Sequence, residues 1–332
     1  MKLRQLAGQY IPKALRRYVF PPWAIAQPQP DEPRPLKSVQ LYAVVAAWME
    51  ADIIEATISN AFVQGADRVF LIDNDSPDDT VQRAQRAGAE LVLTYRTSTY
   101  DEDYRINIMN EFVRHTSMSS NAEHLWWLWL DADEFPRPQS GGTIRNMLAS
   151  LDRRFRVVGA RFLNHYPSPR KVAYMQGQHP IDYQPLCEEL KSSMCLEGHR
   201  KHPLIRWDSE GPEIISTKGF HVASCSARPL FEPVEPLIIH HFPYRNEEAT
   251  RQRMHQLWSP LSAGCSRAKH GDLAVTHMKT RLDSLDAVYA GDWESVKSLY
   301  AEEPRQGVSV SDWREVDPLI SADIPRWYSP RH

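Results

Sequence analysis

The chain has 332 residues, enough for one large or two modest domains around a sizeable buried core. Hydrophobic residues at 42% and charged ones at 24% are ordinary for a globular protein, and a net charge of −3 leaves no basic footprint for general nucleic-acid binding. Cys187, Cys195, Cys225 and Cys265 show no Cys-x-x-Cys spacing, which argues against a zinc site and fits free thiols in a reducing cytosol.

No stretch reaches the ~20 apolar residues of a membrane span. The first twenty residues contain no acid, and Lys2, Arg4, Lys13, Arg16 and Arg17 interleave with Leu3, Leu6, Tyr10, Ile11 and Leu15. This segment lacks the continuous apolar core of a secretory signal. It reads as a basic amphipathic arm, suited either to peripheral contact with an anionic membrane face or to docking on its own domain. The expected location is the cytoplasm, peripheral on the inner face of the membrane. Residues 21–37 carry too many prolines for a helix or a central strand and read as a linker.

Regular structure is predicted from residue 38. Residues 39–47 form an apolar strand, 50–64 place Ile53, Ile54, Ile58, Ala61 and Phe62 at helical spacing, and 68–72 form a second strand. Asp73-Asn74-Asp75-Ser76-Pro77-Asp78-Asp79-Thr80 is a polar turn, with Asp79 or Ser76 as cap for a helix over 81–87 that Gly88 closes. A third strand spans 90–94, a helix 104–115 and a fourth strand 126–130. This alternation predicts βαβ units and a mostly parallel sheet between helices.

The fourth strand is the most informative part of the chain. Leu125-Trp126-Trp127-Leu128-Trp129-Leu130 has no polar alternation, as expected of a strand buried on both faces, and it ends in Asp131-Ala132-Asp133. Unpaired charges cannot stay inside such a strand, so both carboxylates must emerge at its carboxyl end, where open α/β sheets bind ligands. Residues i and i+2 point the same way, which lets the two converge on one hard divalent cation, Mn²⁺ or Mg²⁺. The plainer alternative is a loop with two solvated acids.

After Pro138 the alternation weakens. Strands are expected at 157–163, 204–207 and 237–241, an irregular His/Tyr/Pro/Cys-rich stretch at 164–200, and helices at 246–257 and 272–300 with a break near Gly291. The expected division is an arm and linker over 1–37, a catalytic unit over 38–245 with halves 38–140 and 141–245, and a helical extension over 246–332.

Together, the strand order, the acidic turn at 73–80 and Trp129-Leu130-Asp131-Ala132-Asp133-Glu134-Phe135 resemble family 2-type glycosyltransferases of the GT-A fold. The nearest likeness is to a bacterial branch with a Leu-Asp-Ala-Asp-Glu-Phe motif. The likeness covers residues 38–140 and continues loosely through 200–207, 219–221 and 240–245. It implies a metal-dependent, inverting transfer of a hexosyl-type group from a nucleotide-diphosphate sugar to a saccharide, lipid-linked or protein acceptor, as in bacterial polysaccharide biosynthesis. Asp73 and Asp75 then stand as base and ribose contacts, with turn and capping roles as the alternative. Glu50 is what remains of the family's Arg-Asn-Glu after the first strand. Asp131 and Asp133 stand as metal ligands, Asp131 also near the ribose. His221 stands as third ligand, and His241 as a metal or phosphate contact. Lys201, Arg206 and Arg245 stand as diphosphate contacts. The usual Glu-Asp base motif is absent, which leaves Glu188 and Glu189 as general-base candidates, with Asp182 and Glu134 behind them. A degenerate carbohydrate- or nucleotide-binding scaffold is the alternative of another class. A sugar nucleotidyltransferase would need a Gly-rich basic loop where this chain has Ala46-Ala47-Trp48-Met49-Glu50.

Overall fold

The computed structural model describes residues 35–97, 101–166, 200–208 and 237–262, most of 282–295, and short stretches at 184, 186–189, 214–216, 223–225, 233, 279, 298 and 314–315. Within these, β1 (Gln40–Ala47), α1 (Ile54–Val63), β2 (Arg68–Asp73), α2 (Thr80–Arg86), β3 (Glu90–Thr94), α3 (Glu102–Met118) and β4 (Leu125–Asp131) follow the predicted alternation closely. The strands β3-β2-β1-β4 lie side by side and all parallel.

β4 shows why this order forms. Trp126, Leu128 and Leu130 pack into one apolar layer with Ile54 and Ile58 of α1 and Ala84 of α2. Leu125, Trp127 and Trp129 pack into the other with Ile106, Met109 and Val113 of α3. A strand covered on both faces has no place for a polar side chain, and all six are buried. The Trp127 indole N–H donates to Ser117 Oγ at 2.8 Å, so its polar edge is satisfied inside the core.

Beyond β4 come β5 (Glu134–Pro138), α4 (Ile144–Ser150), β6 (Val157–Tyr166), β7 (Leu186–Glu189), β8 (Arg200–Arg206), β9 (Ile214–Ser216), β10 (Ala223–Cys225), β11 (Leu237–His241), α5 (Glu247–Ser262), α6 (Leu285–Ala290) and the two-residue β12 (Arg314–Glu315). β8 continues the sheet antiparallel to β4, β6 pairs antiparallel with β8 and β7, and β11 runs parallel to β6. Segments on either side of residue 140 therefore share one mixed sheet. Gly291, at φ 72°, ends α6 in the left-handed region where the break was expected.

Several elements differ from the sequence reading. β5 was not expected because two prolines fall in five residues; it survives as a strand that pairs only with β11. β7, the end of β6 and the first residue of β8 fall in the stretch read as irregular, and β8 begins four residues before the strand expected at 204–207. Asp79 occupies the N-cap position of α2 without a side-chain bond, and Asp78 accepts from the Thr80 N–H at 3.1 Å instead. The arm at 1–34 and His221 lie outside the described residues. No helix among the described residues is long and apolar enough to cross a membrane.

Trp127→Ala is expected to destabilise the fold by about 3–5 kcal/mol, the usual cost of truncating a buried Trp. Urea unfolding measures this, and a loss below 1 kcal/mol would contradict the two-sided burial of β4.

Candidate functional site

The carboxyl ends of β1, β2 and β4 bring their acidic turns together. Ala132 sits buried between the two aspartates, and Thr57 of α1 donates its hydroxyl to the Ala132 carbonyl, which pins the turn. Asp131 and Asp133 keep part of their side chains exposed, at 25% and 19%. The chain then reverses into β5, whose Glu134 lies opposite His241 of β11.

Asp131 is held by two permanent cations, and Asp133 by one together with a histidine. Asp131 accepts from Arg105 Nη1 at 2.7 Å and from Lys201 Nζ at 2.8 Å, one on each oxygen. Lys201 also donates to Glu134, and Arg105 is braced by a buried pair with Glu102 at 2.8 Å. Burial pushes the Asp131 carboxyl up, but Lys201 and Arg105 outweigh it and hold the group well below the ordinary carboxylate range. Glu134 goes the other way: burial lifts it to about 8, and its Oε2 has no hydrogen-bond partner. Lys201, although desolvated, is kept charged by Asp131 and Glu134 and stands above its ordinary value.

Asp133 faces Arg245 Nη1 at 3.2 Å and His241 Nε2 at 3.3 Å. Arg245 is fully buried and also pairs with Glu50 and, at 3.0 Å, with Asp52. Arg253 of α5 closes this group: its Nη1 lies 3.4 Å from Glu50 and donates to the Met49 carbonyl at 3.0 Å. Met49 is a non-glycine residue at φ 54°, a strained conformation held by this bond and by Ser76 Oγ accepting from its N–H at 3.1 Å. Burial lifts the Glu50 carboxyl to about 7 despite Arg245 and Arg253.

His241 is oriented from behind. Its Nδ1 donates to Asn164 Oδ1 at 2.7 Å, which orients the ring so that Nε2 faces Asp133. At 3.3 Å from the Asp133 carboxylate, Nε2 either carries a proton and forms an ion pair, or loses it and offers a lone pair to a metal cation. Among the described residues no group of three or more His, Cys, Asp or Glu side chains forms a metal cage. Mg²⁺ and Mn²⁺, however, take one or two protein ligands beside substrate phosphates. Asp133 and His241 fit that pattern, whereas both oxygens of Asp131 are engaged by cations.

The turn after β2 is interlocked with the loop after β1. Asp73 is buried and accepts from the Ser76 N–H at 3.0 Å and the Ser76 hydroxyl at 2.6 Å, while burial raises its carboxyl. Asp75, at φ 51°, pairs with Arg96 at the surface. Thr80 Oγ1 accepts from the Glu50 N–H at 2.8 Å.

Residues 42–199 match the family model for glycosyl transferase family 2. That stretch covers β1 through β7 and stops before Lys201, His241 and Arg245. The chain is similar in part to a solved mycobacterial protein, at 19% identity over 38% of this chain and 41% of that one, TM-score 0.26. A second similar structure is glucosyl-3-phosphoglycerate synthase from Mycobacterium tuberculosis with Mn²⁺, uridine diphosphate and glucosyl-3-phosphoglycerate, at 15% identity over 37% and 44% of the chains, TM-score 0.24. A third is mannosyl-3-phosphoglycerate synthase from Rubrobacter xylanophilus, at 20% identity over 37% and 40%, TM-score 0.25. The chain spans less than half the length of these structures. A search of curated proteins gave no match.

Of the residues singled out from sequence, Asp131, Lys201, Asp133, His241, Arg245 and Glu50 are assembled, with Asp73 and Asp75 on the adjoining turn. Lys201 and Arg245, expected on phosphates, are committed to carboxylates. Arg206 is not part of the cluster: it pairs with Trp126 at the opposite end of β4. The backbones of Glu188 and Glu189 lie on β7, where Glu188 is the partner of Asn164, the residue that orients His241. Sequence reasoning missed Arg105, Glu102, Asp52, Arg253 and Asn164. Arg105 and Glu102 are spaced i, i+3, but Glu102 precedes the helix predicted over 104–115, and surface pairs share that spacing.

Lys201→Met is expected to destabilise the protein by about 3–5 kcal/mol, because it strands buried carboxylates. Adding Glu134→Gln should recover part of that loss. Equal unfolding free energies for wild type and Lys201→Met would contradict the network.

Proposed function

We propose that the protein is a glycosyltransferase that uses a nucleotide-diphosphate sugar and a divalent cation, Mn²⁺ or Mg²⁺, with inversion at the transferred carbon. The observation that carries this reading is the placement of Asp133 beside His241 at the carboxyl end of β4, within a cluster of carboxylates and cations. Among the described residues, the six carboxylates Glu50, Asp52, Glu102, Asp131, Asp133 and Glu134 meet four permanent cations, Arg105, Lys201, Arg245 and Arg253. Burial lifts Glu50 to about 7 and Glu134 to about 8, so the four cations nearly balance the carboxylates ionised at neutral pH, and a divalent cation entering beside Asp133 would release protons from the raised pair. The family match over residues 42–199 supports the transfer chemistry.

On this reading Asp133 and His241 hold the cation, with His221 a candidate further ligand. Bound there, it would stabilise negative charge on the departing diphosphate. Lys201 and Arg105 fix Asp131, which faces the donor ribose, and Arg245 holds Asp133 and Glu50 in register. Asp73 shapes the turn that receives the nucleotide, with Asp75 at its rim. The acceptor hydroxyl needs a carboxylate to take its proton, and Glu188 or Glu189 on β7 is assigned that role. The catalytic unit is 38–245, with 1–37 as an arm for peripheral membrane contact and 246–332 as an extension. The acceptor is a saccharide, a lipid-linked glycan or a protein.

A second reading, a non-catalytic nucleotide- or carbohydrate-binding scaffold, is favoured by the occupation of both Asp131 oxygens. Calorimetry with UDP-, GDP- and dTDP-sugars, with and without Mn²⁺, separates the two. Binding that requires Mn²⁺ and is lost in Asp133→Ala is expected for the transferase; no nucleotide binding would overturn it. Asn164→Ala, which frees the orienting bond on His241, is expected to weaken Mn²⁺ by about 10–100-fold, the usual cost of losing such a partner.

A further inference from the structure

The turn after β2 has a different neighbour on each side. Toward β1, the loop at 49–51 is already engaged. Met49, Glu50 and Ala51 give their N–H groups to Ser76, Thr80 and Asp78, and the Glu50 carboxylate turns to Arg245 and Arg253. Little of that loop is left to meet a nucleotide. On the other side β3 ends the row of described strands, and the segment leaving it is fastened to the same turn. The Tyr95 N–H donates to the Asp73 carbonyl at 2.9 Å, and Arg96 pairs with Asp75.

Tyr95 thereby stands between the end of β2 and the first turn of α3. It packs on the layer that holds Ile72 and Ile106, and its ring meets that of Tyr104 at 5.6 Å and 55°. Tyr104 is 46% exposed, and the next residue, Arg105, is the one that holds Asp131. Two aromatic rings therefore flank the ground between Asp73 and Asp131. Burial pushes the Tyr95 phenol up to about 12 against the pull of Arg105, so it keeps its proton at neutral pH. Among the described residues no group accepts that proton in a hydrogen bond. Exposed aromatic residues are ordinary when they stand singly. Here two are in contact at the ligand end of the sheet, with one open ring face and one unengaged hydroxyl, which is the chemistry of a stacking platform.

We propose that the ring of Tyr104 stacks on the nucleobase of the donor and that the Tyr95 hydroxyl donates to the adjoining pentose. This rests on the nucleotide-sugar reading above. It assigns base contact to the segment after β3 and the first turn of α3, in place of the loop after β1. Stacking accepts every base, because each has a π-face. The wall therefore selects a nucleoside diphosphate over bare diphosphate, and does not by itself select one base.

The test is calorimetry of the full-length protein with Mn²⁺ and UDP, GDP or dTDP, in parallel with Mn²⁺ and pyrophosphate, which has no base. Tyr104→Ala is expected to bind the preferred nucleotide about tenfold more weakly, a usual cost of losing a stacked ring, and Tyr104→Phe to bind it as the wild type does. Tyr95→Phe is expected to weaken the nucleotide several-fold. Pyrophosphate affinity is expected to stay unchanged in all three, which a purely structural role would not produce. Wild-type nucleotide affinity in Tyr104→Ala would overturn the stacking, and in Tyr95→Phe the pentose contact. An equal loss with pyrophosphate would overturn both and leave the nucleotide-sugar reading standing. No nucleotide binding by the wild type would overturn that reading and this proposal together.

Discussion

The carboxyl end of β4 gathers six carboxylates and four permanent cations in a place that water reaches poorly. Other features of the site follow from that constraint. Arg105, Lys201, Arg245 and Arg253 come from four different segments, and each is drawn into the cluster by carboxylates that would otherwise be buried uncompensated. With Glu50 and Glu134 lifted toward neutrality by burial the cluster nears balance, and on the proposed reading a divalent cation enters beside Asp133 and His241. The strained Met49 belongs to the same economy of position: it turns the loop after β1 so that Glu50 and Asp52 reach Arg245 and Arg253.

The network also ties distant segments together. Arg245 precedes α5 yet bonds to residues after β1 and at the end of β4, and Lys201 of β8 reaches both β4 and β5. Segments outside the family match thus supply cations to aspartates inside it. Loss of one partner would spread, because each cation serves at least two carboxylates. Asp131 and Asp133 then take different parts. Asp131 is closed on both oxygens by permanent cations, while Asp133 faces Arg245 and a histidine whose ring Asn164 orients.

Where local pattern decides structure, the sequence was readable. Leu125–Leu130 reads best as a strand covered on both faces, as it is, and its ending in two aspartates points to the cluster. The strand at 90–94 and the strand at 237–241 needed no correction. The rest depends on contacts that no local pattern carries. β5 contains two prolines and exists because β11 accepts it as a partner. Lys201 and Arg245 were recognisable as cations near the site, but a lone cation in sequence does not say whether it faces phosphate or carboxylate. Arg206 sits in the same short motif as Lys201, and strand register alone separates them by most of the length of β4. Asn164 carried no signal at all, since its importance comes from β6 lying beside β11.

The most direct test is anomalous diffraction from crystals soaked in Mn²⁺ and UDP. One Mn²⁺ is expected on Asp133 and His241, with Asp131 still bonded to Arg105 and Lys201 and the diphosphate completing the shell. Density for UDP without Mn²⁺, or Mn²⁺ seated away from Asp133 while Arg245 keeps its bond, would contradict the proposed cation site.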